Sequence, residues 1–145
     1  MKKLLFLFVL LPIFNIYAAC SPYTDDPNHF QILLTPNKSY KTFITQQDDN
    51  DSRVVLRCSF NPQTIHGDYL DLYVKWGNGF DAPNEDITAD PEFPVTFYGK
   101  FTNPVKPEYS KKYGGYVTFT LQDYPENEGY QLYITCCDPN YKKEK

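Results

Sequence analysis

The chain has 145 residues, enough for one domain with a hydrophobic core. It carries 14 Lys and Arg against 18 Asp and Glu, a formal net charge of −4. This acidic balance disfavours nucleic acid as a partner, because affinity for duplexes depends largely on Lys and Arg contacts to phosphates. It also disfavours simple electrostatic binding to anionic lipid.

The start of the chain has the features of a secretory signal peptide that ends at residue 19. Lys2 and Lys3 form a basic beginning, an apolar run extends to Phe14, and Ala18-Ala19 supplies the small residues of a cleavage region. The run is too short to cross a bilayer as a helix, and no later run approaches its length. We therefore predict a secreted or otherwise extracytoplasmic protein with no transmembrane helix, in which residues 20–145 form one domain with a short charged tail.

Seven segments after the signal peptide alternate between apolar and polar residues and are separated by turn signals. No segment shows an apolar stripe of helical period over the length of a helix. Strands without helices favour an all-β fold, a two-sheet antiparallel β-sandwich. The predicted strands are Phe30–Thr35, Lys38–Thr45, Arg53–Phe60, Tyr69–Trp76, Val95–Phe101, Tyr116–Leu121 and Tyr130–Cys136.

The strand Tyr69–Trp76 has the strictest alternation in the chain. Leu70, Leu72, Val74 and Trp76 share one face, so we expect the single tryptophan to fill the core. Tyr69, Asp71, Tyr73 and Lys75 share the opposite face.

Two acidic stretches between the predicted strands, 46–52 and 81–94, are predicted to be loops, and they offer oxygen ligands for calcium, which binds six to eight of them. Neither has the spacing of an EF-hand loop, so calcium binding and plain solvation both stay open, and no other cofactor is indicated. Asn37-Lys38-Ser39 and Asn50-Asp51-Ser52 are N-glycosylation sequons that would be used in a eukaryotic secretory pathway. The calcium candidates are Asp48, Asp49, Asn50 and Asp51 in the first stretch, and Asp81, Asn84, Glu85, Asp86 and Asp90 in the second.

The four cysteines are expected to form disulfides in an exported protein. Four cysteines allow three pairings, and a bond between the neighbours Cys136 and Cys137 would be strained. Cys58 and Cys136 both fall on inward faces of predicted strands. We therefore predict one bond from Cys58 to Cys136 across the core and a second from Cys20 to Cys137.

Two other fates of Cys20 stay open. Tyr17-Ala18-Ala19-Cys20 resembles a bacterial lipobox, with small residues before the cysteine and Ser21 after it. That resemblance implies a lipid anchor at Cys20. Cleavage after Cys20 would instead remove it.

Two family resemblances include the predicted strand Tyr69–Trp76. The segment 67–77, GDYLDLYVKWG, is similar to the "GDaDLYV" strand of bacterial pre-peptidase C-terminal domains, and Gly129–Ile134 is similar to their Tyr-rich closing strand. This resemblance implies a jelly-roll-like sandwich that serves as a non-catalytic accessory module. The order Cys58, Trp76, Cys136 resembles an immunoglobulin domain, which implies an inter-sheet disulfide packed on a buried tryptophan.

No catalytic motif is evident, so we predict that the protein is not an enzyme. His29 and His66 lie in polar loops without zinc-ligand spacing, and neither Ser39 nor Ser59 lies in a Gly-x-Ser-x-Gly turn. No glycine-rich phosphate loop is present.

We expect a binding module that recognises a glycan or a protein through outward tyrosines and a nearby carboxylate. The alternative is a protein-directed effector or inhibitor, such as an immunoglobulin-like decoy or a periplasmic inhibitor, with its acidic charge steering it to a basic target. The candidate binding residues are Tyr69, Asp71, Tyr73 and Tyr133.

Overall fold

The computed structural model describes residues 20, 25–47, 51–64, 69–102, 106, 109 and 114–141. The signal peptide predicted for residues 1–19 lies outside this part of the chain. Within it the structure has nine β-strands and no α-helix. The strands are β1 (Phe30–Leu34), β2 (Ser39–Phe43), β3 (Arg53–Gln63), β4 (Leu70–Gly77), β5 (Phe80–Asp81), β6 (Glu85–Ala89), β7 (Val95–Phe101), β8 (Tyr116–Leu121) and β9 (Gln131–Cys137).

The strands form two antiparallel sheets, which confirms the predicted β-sandwich. The five-stranded sheet has the order β1-β9-β3-β7-β5, and the four-stranded sheet has the order β2-β8-β4-β6. In each sheet, strands distant in sequence lie side by side, so the architecture depends on long-range pairing.

The prediction of an acidic loop over 81–94 was wrong, because this stretch contains the end of β5 and all of β6. Ile87 and Ala89 are buried, while Asp86 and Thr88 point to solvent. Short alternation of this kind is enough for an edge strand, and β6 pairs with β4 at the edge of the four-stranded sheet. The charged residues cover the outer side of that edge.

Strand β3 also extends beyond its predicted end, through Asn61 and Pro62 to Gln63. β7 pairs with β3 only as far as Cys58, whereas β9 pairs with it as far as Gln63. Pro62 therefore has a sheet neighbour on one side only. Proline is tolerated there because its missing N–H interrupts no ladder on the open side.

The inward side chains form one core cluster, and Trp76 lies in it as predicted. Its ring centroid is 5.2 Å from that of Phe80 and 5.3 Å from that of Phe97, so it connects the two sheets. The indole N–H donates to the carbonyl of Pro83 at 3.1 Å. The buried ring thus keeps a partner for its one polar group.

Both predicted disulfides are present, Cys58–Cys136 and Cys20–Cys137. The expected position of the first across the core was wrong. Cys58 and Cys136 are directly opposite each other on β3 and β9, with their Cα atoms 4.1 Å apart. Both face inward from one sheet, so this bond joins neighbouring strands and is not the inter-sheet bond that the immunoglobulin resemblance implies.

Two disulfides are consistent with an extracytoplasmic location. No helix in the described part of the chain has the length and apolar character needed to cross a membrane.

Candidate functional site

The four predicted binding residues do not share one surface. Tyr69, Asp71 and Tyr73 lie along the outward side of β4 and the residue before it, on the four-stranded sheet. Tyr133 points outward from β9, on the five-stranded sheet. Because the outer faces of a sandwich point in opposite directions, one small ligand cannot contact all four residues.

The outer face of the four-stranded sheet is held together by pairs between neighbouring segments. The Asp71 carboxylate accepts from the Thr88 hydroxyl at 2.8 Å, and the Asp86 carboxylate accepts from the Gln122 side-chain amide at 2.7 Å. The Lys41 ammonium lies 3.9 Å from the centroid of the Tyr116 ring. Pairs of this type stabilise a sheet, and here they already engage the carboxylates that a ligand would use.

A cleft of about 630 Å³ opens on the outer side of the five-stranded sheet. Its position follows from strand register. β9 ends at Cys137, opposite Arg57, while β3 begins four residues earlier at Arg53. Beside residues 53–56, β3 therefore has β7 on one side and the segment after β9 on the other. The cleft lies there, and Val55 of β3 is among its lining residues.

One wall of the cleft includes an exposed aromatic ring. Tyr98 projects from β7 directly across from Val55, and it is 69% exposed, the most exposed of the large hydrophobic and aromatic residues that the structure describes. A solvent-facing tyrosine beside a concavity offers both a flat apolar surface and a hydroxyl group.

The end of the cleft carries an ion pair. The Arg53 guanidinium donates to both carboxylate oxygens of Asp51, at 2.9 and 3.1 Å. The fork geometry of arginine favours this two-point contact. The side-chain hydrogen bond from Arg53 lowers the pKa of Asp51, so this carboxylate is ionised and its charge is matched.

The opposite wall contains Gln47, Asp138 and Asn140. The Gln47 amide donates to Asp138 Oδ2 at 2.9 Å and to Asp26 Oδ1 at 3.3 Å. Asp26 is 5% exposed, and its Oδ2 also accepts the backbone N–H of Asp138 at 2.9 Å. Two carboxylates are thus bridged by one amide, which fixes the position of the Asp138 side chain.

Behind this wall, Asn28 joins the beginning of the described chain to the segment after β2. Its side-chain amide donates to the Thr45 carbonyl at 2.9 Å, and its Oδ1 accepts the Thr45 N–H at 2.8 Å. The Asn28 N–H donates to Asp26 Oδ1 at 2.9 Å. No buried side-chain N or O atom among the described residues lacks a partner, so the wall is preorganised.

Of the two carboxylates that are described in the cleft lining, Asp138 is the one without an ion-pair partner among the described residues. Burial raises its pKa, the charge of Asp26 raises it further, and the N–H of Asn140, which donates to Asp138 Oδ1 at 2.8 Å, acts in the other direction. Within the described residues the one ion pair is Asp51–Arg53, so Asp138 has hydrogen-bond donors but no cation.

The calcium candidates are only partly described, since 48–50 lie outside the described residues. In the second stretch, Asp81 lies on β5 of one sheet and Asp86 on β6 of the other, while Asp90 Oδ1 accepts the N–H of Glu92 in a turn. The structure does not bring that set together, and the described chain has no group of three or more His, Cys, Asp or Glu suited to a metal ion.

Of the two sequon asparagines, Asn37 lies within the described residues. Asn37 is exposed in the turn after β1, with φ of 61°, and its amide donates to Glu126 at 3.2 Å. Asn50 lies outside the described residues. Glycosylation at both stays a prediction.

Sequence reasoning named one residue of the cleft, Asp51, and only as a calcium candidate; it missed the others. Tyr98 was an outward position of a correctly predicted strand, which was the available signal for it. Gln47, Asp138 and Asn140 lie in segments read only as polar loop and charged tail, and no local pattern shows that they meet. In comparisons with family models, with curated proteins and with solved structures, no match to this chain was found. The two family resemblances therefore stay predictions.

Proposed function

We propose that the protein is an exported, non-catalytic module that binds a glycan in the cleft beside β3. The observation that supports this is the placement of the exposed Tyr98 ring in the same cleft as the fixed polar groups of Gln47, Asp138 and Arg53. A pyranose ring has an apolar C–H face and a rim of hydroxyl groups. The aromatic ring suits the face, and the carboxylate and amide suit the rim.

The size of the cleft also favours a small saccharide. Its volume of about 630 Å³ falls within the range of roughly 300–1,000 Å³ that is usual for small-ligand sites. A stable protein–protein interface needs about 800 Å² from each partner. One to three sugar units match a local cleft better than a folded protein does.

A non-catalytic role agrees with the surroundings of the usual nucleophiles. Ser39 shares a hydrogen bond with the Thr120 hydroxyl, and Ser59 donates to the Thr135 carbonyl, so neither contacts a base. All four cysteines are in disulfides. In the cleft, both oxygens of Asp51 accept from Arg53, which suits a structural role for that carboxylate.

The test is binding of a panel of oligosaccharides, first on an array and then by titration calorimetry. Tyr98→Ala should weaken binding at least about tenfold, because a stacked ring contributes on the order of 1.5 kcal/mol. Tyr69→Ala is the matched control, since Tyr69 is also exposed, at 58%, but precedes β4 of the other sheet. Recovery of the glycan uncleaved after incubation would support the non-catalytic role.

Two results would overturn this proposal. Failure to bind any glycan of the panel would reject the proposed glycan-binding function. Loss of binding in Tyr69→Ala with full binding in Tyr98→Ala would move the contact to the outer side of the four-stranded sheet, near the predicted binding residues Tyr69, Asp71 and Tyr73. Circular dichroism of both variants establishes that they are folded.

A second candidate function is recognition of a protein, as in the effector or inhibitor hypothesis. It is favoured by Leu33 and Tyr133, which are opposite each other on β1 and β9 and are each 45% exposed. Such apolar neighbours are typical of the centre of an interface. A partner purified from the native source that binds the wild type, but not Leu33→Ser with Tyr133→Ser, would support this function, provided that glycan binding is unchanged in the variant.

A further inference from the structure

We propose that the glycan bound in the cleft carries a protonated amine, as an unacetylated amino sugar does, and that Asp138 is the partner of this ammonium group. This inference rests on the proposed function and specifies the chemical class of its ligand. It is argued from the charges of the cleft, from the position of Asp138 and from the neighbouring aromatic ring.

The charges that line the cleft do not cancel. Asp51 and Arg53 neutralise each other through two hydrogen bonds. Asp138 is the third charged residue among the described residues that line the cleft, and none of the described cations lies within 4 Å of its carboxylate. The described charged residues of the cleft lining, two carboxylates and one guanidinium, therefore have a net charge of about −1 when both carboxylates are ionised.

Asp26 reinforces this negative charge from behind the wall. It shares the Gln47 amide with Asp138 and accepts the backbone N–H of Asp138. Two cations lie near the lining in the strand register. Arg57 is opposite Cys137, the residue before Asp138, and its guanidinium donates to Thr96 Oγ1 at 3.1 Å, while Lys100 is opposite Arg53 and the acidic Asp81. Among the described residues neither lines the cleft or pairs with Asp138, so the charge at Asp138 stays in place.

Ligand chemistry follows from this arrangement. Gln47 and the Asn140 N–H each donate one hydrogen bond to the Asp138 carboxylate, so its two oxygens retain capacity for another donor. An ammonium group would supply that donor together with the missing charge, and charge-assisted hydrogen bonds are the stronger kind. The Tyr98 ring in the same cleft adds a surface that attracts cations.

The same features disfavour other sugars. A neutral or N-acetylated sugar would leave the half-buried charge of Asp138 without a counterion, and a sulfated or uronic sugar would bring a like charge to it. Since like charges brought close together are repelled, selectivity should rank amine above neutral above anionic sugars.

The test uses three oligosaccharides of the same length and linkage: β-1,4-linked glucosamine, β-1,4-linked N-acetylglucosamine and β-1,4-linked glucose. Titration calorimetry at a pH where the amine is protonated should show about tenfold tighter binding of the glucosamine oligomer, which corresponds to about 1.4 kcal/mol. This preference should shrink at high salt.

Variants assign the effect to Asp138. Asp138→Asn should remove the preference for the amine while keeping binding of the neutral oligomer, and Tyr98→Ala should weaken binding of all three. Asp81→Asn is the matched control, because Asp81 is an exposed carboxylate of the same sheet outside the cleft. Unfolding midpoints of each variant verify that the fold is kept.

The outcomes separate this inference from the proposed function. Equal affinity for the three oligomers, or an amine preference that survives in Asp138→Asn, would overturn the inference and leave glycan binding intact. Absence of binding by every oligosaccharide of the larger panel would overturn the proposed function itself. Binding of lysine-rich peptide in preference to all sugars would also reject the inference, since the cation would then come from a protein.

Discussion

Cys58 and Cys136 are bonded across β3 and β9, and the next residue after Cys136 is bonded to Cys20 at the start of the described chain. Two successive residues of β9 thus anchor two distant segments. One bond lies within the core, while the other joins residue 20 to the end of the last strand. The two bonds should therefore differ in their contribution to stability.

We predict that the double variant Cys58→Ala with Cys136→Ala loses more stability than Cys20→Ala with Cys137→Ala. The bonds span 78 and 117 residues, so loop entropy differs by only about 0.4 kcal/mol between them. Burial decides the order, because Cys58 and Cys136 are fully buried and their truncation also leaves a void. Loss of about 3–5 kcal/mol is expected for the core bond.

Guanidinium unfolding of both double variants measures this difference. A larger loss for the pair that includes Cys20 would contradict the ranking. It would show that linking residue 20 to the last strand contributes more to the free energy of unfolding than the buried bond in the core does.

A second prediction concerns two glycines that approach aromatic side chains. A methyl group on Gly115 would collide with the Cβ atom of Phe80 and lie 3.2 Å from its Cα atom, so the backbone must shift. A methyl group on Gly77 would lie 2.6 Å from the far end of the half-buried Tyr116 side chain, where a small rotation of the ring would relieve the clash without moving the backbone. We expect Gly115→Ala to lose about 2–3 kcal/mol, in the range of overpacked cores, and Gly77→Ala to lose less than about 1 kcal/mol.

Thermal unfolding of the two alanine variants compares them directly. Equal losses would mean that the Tyr116 ring cannot move. The cause would then be sought in the Lys41 ammonium that lies over it.

Local alternation carried enough information for most of the strands. Val95–Phe101 and Tyr116–Leu121 have the predicted bounds, because apolar residues mark the inward face at both ends of each strand, although Gly99 interrupts the series in the first. β6 was missed because it begins with the acidic residues Glu85 and Asp86 and only Ile87 and Ala89 mark its inward face. Apolar periodicity alone does not distinguish such an edge strand from a loop.

The cleft could not be predicted because it depends on register between distant segments. It exists because the last residue of β9, Cys137, is paired with Arg57. The first four residues of β3, 53–56, therefore have no β9 residue beside them. Nothing in the local sequence around Tyr98 or Asp138 specifies that offset. The tyrosines that alternation did identify lie on two opposite faces of the sandwich. They were grouped together because a sequence pattern shows which residues point outward but not to which sheet they belong.

A third prediction concerns the polar group buried behind the cleft. Asn28→Ala would leave both the N–H and the carbonyl of Thr45 without their partner in a buried position. Each buried group that loses its hydrogen bond costs about 1–3 kcal/mol, so we expect a loss of about 2–4 kcal/mol in total. Because Gln47 follows Thr45 closely, glycan binding should weaken as well.

The matched control is Asn61→Ala, since Asn61 is exposed on β3 and interacts with Gln63 on the same strand. It should change stability by no more than about 0.5 kcal/mol. Urea unfolding of both variants is the measurement. Similar losses at the two positions would show that the Asn28–Thr45 pair does not organise the wall.

The last prediction is a pH dependence of stability that Asp138 and Asp51 produce with opposite signs. Burial holds the pKa of Asp138 above its usual value near 3.8, so the folded state binds a proton more tightly than the unfolded state. Stability from this group is therefore present at low pH and is lost as pH rises through its folded pKa. Asp138→Asn should gain stability relative to the wild type over that interval, by less than about 1 kcal/mol because the group is half-exposed.

Asp51 behaves in the reverse way, since its hydrogen bonds from Arg53 lower its pKa. It stabilises the fold above its unfolded pKa, and this contribution disappears as pH falls through the folded pKa. Urea unfolding between pH 3 and pH 7 should thus show Asp138→Asn rising and Asp51→Asn falling relative to the wild type as pH increases. Parallel curves for the wild type and Asp138→Asn would mean that the Asp138 carboxylate is as well solvated in the cleft as in the unfolded chain. Asp138 would then have no need of a cationic ligand.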